Sequence, residues 1–79
     1  MRIEVKHYVN RVKSGYAARS PTLRLTAHGH SPEAARLNLE RVVGLYLSPF
    51  VRGGTLGEEL EQAGLKGEGE GMELAVVVT

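Results

Sequence analysis

Apolar and polar residues alternate from the start of the chain: Ile3, Val5 and Val9, with His7, share one side, while Arg2, Glu4, Lys6 and Tyr8 share the other. That period of two predicts a strand over residues 2–9 with one buried face. The pattern drifts after Val9, because Val12 falls in the class of Tyr8, so a bulge or fraying is expected there. Lys13-Ser14-Gly15 predicts a hairpin, with the glycine where a left-handed backbone is wanted. A second strand follows over Tyr16–Ser20. Pro21-Thr22 interrupts it as an edge, bulge or turn, since proline cannot donate to a ladder. A third strand runs from Leu23 to His28, with Leu23, Leu25 and Ala27 on one face and Arg24, Thr26 and His28 on the other.

The period then changes. Ser31, Pro32 and Glu33 are the cap, first-position and first-turn residues of a helix start. From there Ala35, Leu39, Val42, Val43, Tyr46 and Phe50 fall within roughly a third of a helix circumference. The helix is expected from Pro32 to Tyr46 or Leu47, stopped before Pro49 because the residue preceding a proline is pushed out of the α region. Its outer face carries Glu33, Glu40 and Arg41, with Leu37 beside Gly44. That leucine is either one exposed apolar residue among many or a contact point for another subunit. Arg52-Gly53-Gly54 reads as a flexible joint. Thr55 with Glu58 has capping-box spacing and opens a short helix that Gly64 can end. Lys66 to Gly71 alternates glycine with glutamate and is expected to be a loop. Residues 72–78 are apolar on both parities apart from Glu73, so a strand there is buried on two faces, lies in an interface, or stands at an edge as an aggregation hazard. It is expected beside the first strand, with a parallel pairing open to it through the helical crossover. The fold class is α+β in one domain over residues 1–79: a three-stranded antiparallel meander, a long helix, a short helix and a C-terminal strand joining the same sheet.

Composition narrows the function more than the fold. With 79 residues and no cysteine, a monomer has a modest core and neither a disulfide nor a thiolate metal site to hold it, so homo-oligomerisation is expected. No apolar run approaches bilayer length, and a cytoplasmic protein is expected. The net charge of +1 conceals an asymmetry. Residues 1–52 hold nine basic side chains against three acidic ones, a balance of +6; residues 53–79 hold one against six, a balance of −5. Either a basic sheet surface meets an anionic partner, or the halves complement each other within the fold or across an oligomer.

Little catalytic chemistry is on offer. The chain has no aspartate, and its glutamates do not form the converging carboxylate set that a two-metal nuclease needs. His28 and His30 could share an ion only with a third ligand, for which His7 is the free candidate. The serines lack a nucleophile-elbow setting, and the glycine-rich stretches lack the lysine of a phosphate loop. Neither catalytic residues nor a cofactor or metal is therefore expected. The basic strands, with Tyr8 and Tyr16 as stacking platforms, do not amount to a recognised nucleic-acid module.

Gly15-Tyr16, Pro21-x-Leu23, and the run Gly29-x-Ser31-x-Glu33-Ala34-Ala35 together resemble the HicB-like antitoxin family. Where members commonly have an aspartate after the proline and Pro-Gly after the leucine, this chain has Thr22 and Arg24-Leu25. The resemblance implies a partial ribonuclease-H-like domain that binds a small RNA-cleaving HicA-type toxin and neutralises it without being an enzyme. Arg19, Arg24, Leu37 and Arg41 are the candidate partner-binding residues. Full antitoxins of the family often carry a C-terminal operator-binding unit, whereas residues 53–79 have room for one short helix and a strand and are negatively charged, so no operator binding by this chain is expected. The alternatives are a solitary family member with another role, or a nucleic-acid-binding protein using the basic strands.

Overall fold

Ser31 has the extended backbone of a helix cap (φ −141°, ψ 162°) and its hydroxyl oxygen accepts the Ala34 N–H at 3.0 Å. Its carbonyl accepts the Ala35 N–H, also at 3.0 Å, and the chain winds into α1 (Pro32–Gly53). The structure, a computed structural model, describes residues 2–65, 67–68 and 75–79. α1 does not stop before Pro49, as expected; the proline lies inside it. Proline leaves the carbonyl four residues back without its helical donor. Here that residue is Leu45, itself 69% exposed, so water can take the vacant carbonyl. Beyond the proline, Phe50 and Val51 pack against the core and offset the local penalty. The helix ends at Gly54, whose left-handed backbone (φ 74°) closes a two-bond cap in which Thr55 N–H reaches the Phe50 carbonyl at 2.9 Å. The expected joint at Arg52-Gly53 is thus the last part of the helix.

The buried stripe of α1 is Ala35, Leu39, Val43 and Leu47. Val42 and Phe50 flank it as expected, whereas Tyr46 is pushed to the boundary and Leu47 takes its place. α2 (Leu56–Ala63) follows and buries Leu56 and Leu60. The Thr55 side chain makes no capping bond; its carbonyl accepts the Glu59 N–H at 3.1 Å instead. Gly64 ends α2 as predicted (φ 74°), with the Leu65 N–H donating to the Leu60 carbonyl at 2.8 Å.

The single N-terminal strand divides at Lys6–His7 into β1 (Arg2–Val5) and β2 (Tyr8–Val12). Both halves keep the predicted alternation, since Ile3 and Val5 are fully buried while Arg2, Glu4, Lys6 and Tyr8 are exposed. What changes at the break is the partner. β2 pairs antiparallel with β3 (Gly15–Ser20), which pairs antiparallel with β4 (Leu25–Gly29), giving the expected meander. β1 pairs antiparallel with β5 (Gly67–Glu68) and parallel with β6 (Ala75–Val78), as a second three-stranded ladder in the order β5-β1-β6. The parallel ladder runs up to the break, where His7 N–H donates to the Thr79 backbone oxygen at 3.0 Å and Thr79 N–H to the Val5 carbonyl at 2.9 Å. β6 therefore joins β1, as anticipated, but in a ladder separate from the meander. Gly67-Glu68, expected in a loop, pairs with Arg2 and Ile3; the rest of that loop and residues 72–74 lie outside the described residues.

The third strand starts at Leu25, because Pro21–Arg24 is a turn in which Arg24 is left-handed (φ 56°). Ser20, fully buried, accepts the Leu23 N–H at 3.4 Å there. Under the start of α1 the sheet residues are small: Ala18, Ala27 and Gly29. A Cβ on Gly29 would lie 2.4 Å from the Ala35 nitrogen, and one on Gly15 would lie 2.5 Å from the Gly29 oxygen. The hairpin, the end of β4 and the first turn of α1 are thus stacked backbone on backbone.

Candidate partner-binding surfaces

The meander presents one face to α1 and leaves the other open. Register sets Tyr8, Arg19 and Thr26 in one cross-strand row on the open face and Asn10, Ala17 and His28 in the next. Tyr8 is 64% exposed, while Tyr16, on the opposite parity, packs half-buried against the core, so only one of the two tyrosines is a platform. Arg19 stands in the middle of this face and Arg24 is exposed in the turn at its end. Between Val5 and Pro32 the chain has Lys6, Arg11, Lys13, Arg19 and Arg24 and no acidic residue. The meander is free of acidic residues; of its basic ones register sets Arg19 on the open face, while Arg11 pairs with Tyr16 on the other parity and Lys13 and Arg24 lie in the turns.

Leu37 and Arg41 lie elsewhere, in a shallow hollow between α1 and β6 completed by Glu40, Gly44 and Val76. Leu37 is 51% exposed. Glu40 takes a guanidinium N–H of Arg36 at 3.5 Å, and Arg36 is also forked onto Glu33. The hydrogen bonds from Arg36, first, and its charge hold the Glu33 carboxyl below its ordinary range. The four sequence candidates therefore occupy two surfaces, Arg19 and Arg24 on the first, Leu37 and Arg41 on the second.

A third surface was not anticipated. α2 turns Leu56 and Leu60 inward and carries Glu58 and Glu61 exposed beside Glu59. Glu59 accepts the Tyr46 hydroxyl at 2.8 Å, and this bond, ahead of burial and the carboxylate's charge, raises the Tyr46 pKa. Tyr46 also meets Phe50 edge to face, with ring centroids 5.6 Å apart. Side-chain pairing between α1 and α2 carried no sequence signal, since thirteen residues separate the partners.

The histidines do not converge. His7 Nδ1 lies 2.9 Å from the Thr79 backbone oxygen, whereas His28 and His30 border a small hollow with Ser14. Among the described residues no group of three histidine, cysteine, aspartate or glutamate side chains could hold a metal, and no helix is long and apolar enough to cross a membrane. No family model, curated protein or solved structure matches the chain.

Proposed function

We propose that the chain is a non-catalytic interaction module of the HicB-like antitoxin type, which binds a small RNA-cleaving HicA-type toxin and blocks its RNA-facing surface. The observation that carries the reading is the junction of Gly15, Gly29, Ser31, Ala34 and Ala35. These residues, scattered through the motifs of the resemblance, act together at one point, where a side chain on either glycine would collide with backbone. Within this reading the partial ribonuclease-H-like arrangement is a scaffold for surfaces. A toxin that holds RNA must be cationic where it does so, and the acid-bearing side of α2, with Glu58 and Glu61, is the complementary surface here. Co-expression with a HicA-type toxin tests the reading: the two should co-purify, and growth arrested by the toxin should recover. Failure of both would refute it.

One observation favours a second reading. The acid-free open face of the meander, with exposed Tyr8 beside Arg19, has the elements of a single-stranded nucleic-acid platform. Titration with single-stranded RNA at rising salt separates the two. A nucleic-acid protein would bind with steep salt dependence, and an antitoxin module would show flat or absent binding.

A further inference from the structure

We infer that the seam between α1 and β6 is a two-fold interface, and that the partner it takes is a second copy of this chain. Three separate features of the seam lead there. First, β6 is an edge. Thr79 bonds to Val5 and His7 through its own N–H and carbonyl, and amide directions alternate along a strand. Ala75 and Val77 therefore turn theirs toward β1, and Val76 and Val78 turn theirs outward, where among the described residues no strand pairs with them. Soluble proteins protect such an edge with charge, proline or a bulge; the described part of this one reads Ala75-Val76-Val77-Val78, with none of these.

Second, Gly44 sits in the middle of α1, where glycine weakens a helix, and nothing in the fold asks for it. A Cβ there would meet no atom within 4 Å. The glycine leaves room for something the single chain does not supply. Third, the residues that line the hollow are self-complementary. If α1 packs antiparallel against α1 of a second copy, the register that seats Leu37 over the second copy's Gly44 also sets Glu40 against its Arg41, and the two-fold axis repeats both contacts. One register thus buries the exposed leucine in the gap left by the glycine and pairs two opposite charges twice. The same axis sets β6 antiparallel to its copy, so the outward N–H and carbonyl groups of Val76 and Val78 find partners and the two β5-β1-β6 ladders become one sheet.

Charge reversal tests the assignment, read by sedimentation velocity over a range of protein concentrations. The full chain should sediment as a dimer of the 8.6 kDa protomer. Arg41→Glu, which sets like charges face to face twice, and Leu37→Glu, which places a charge in the gap, should each raise the dissociation constant by about a hundredfold or more while far-UV circular dichroism stays unchanged. The exchange Glu40→Arg with Arg41→Glu should restore the dimer. Val76→Pro, which removes an outward N–H and spares the ladder to β1, should weaken it independently of the helix. A wild-type chain that stays monomeric overturns the proposal, even if Leu37→Glu then abolishes binding to a toxin, since the seam would belong to that partner. A dimer indifferent to these substitutions, or one that the charge exchange fails to restore, overturns it as well.

Discussion

Replacing Gly29 by alanine adds one methyl group at the tightest point of the fold. Its Cβ would lie 2.4 Å from the Ala35 nitrogen, 2.7 Å from the Ala34 carbonyl carbon and 2.9 Å from the Ala34 Cβ, against an ordinary contact of 3.4–4 Å. Relief requires about 1 Å of separation between β4 and α1, at a place where both partners are backbone and neither can swing away. Overpacking of this kind costs about 1–3 kcal/mol, and the backbone contact sets the expectation at about 3 kcal/mol. Since a domain of this size is stable by roughly 4–12 kcal/mol, the loss is a large fraction of the whole. It corresponds to a fall in melting temperature of about 12–24 °C. Thermal unfolding followed by far-UV circular dichroism, at one fixed protein concentration, reads it. Gly57→Ala is the control, because Gly57 lies in α2 with nothing within 4 Å of its Cβ, and that variant should melt at or above the wild-type temperature. If Gly29→Ala melts within about 2 °C of the wild type, α1 is not seated on β4 as described.

Other expectations are smaller. Ser31→Ala removes the acceptor for the Ala34 N–H and should cost about 1 kcal/mol, whereas Ser31→Asp should keep the stability; equal loss in both would show that the cap is not made. Tyr46, one of three tyrosines, has its pKa raised by Glu59, so the folded protein holds that proton more tightly than the unfolded chain. The stability this contributes is complete below the ordinary tyrosine pKa of about 10 and is lost as pH climbs through the raised one. In an absorbance titration at alkaline pH part of the tyrosinate signal should come as a late step above the ordinary tyrosine range, and Tyr46→Phe should remove it. Persistence of the late step in Tyr46→Phe would contradict the Tyr46–Glu59 bond.

What could be read from the residues themselves was whatever depends on near neighbours. The start of α1 is local chemistry at Ser31, Pro32 and Glu33, and it stands where those residues place it. The alternation of Ile3 and Val5 with Arg2 and Glu4, the hairpin before Tyr16 and the stop at Gly64 are likewise short-range. What could not be read depends on distant contacts. Pro49 argues for a helix end, and the packing of Phe50 and Val51 against the core outweighs it. The division between β1 and β2 is set by Thr79, seventy-two residues away from His7. The left-handed Arg24 delays β4, in a position where sequence pattern alone would continue the strand. For the surfaces the same holds: Leu37 and Arg41 could be placed on one helix face, but the presence of Val76 beside them is a fact of tertiary structure.

The proposed role, covering another protein without catalysis, is tested most directly with a defined RNA, a purified HicA-type toxin and this chain titrated in. Cleavage should fall in proportion to added chain and cease near one equivalent per toxin, and the chain alone should leave the RNA intact. Undiminished cleavage in the presence of excess chain, or cutting by the chain itself, would rule that role out.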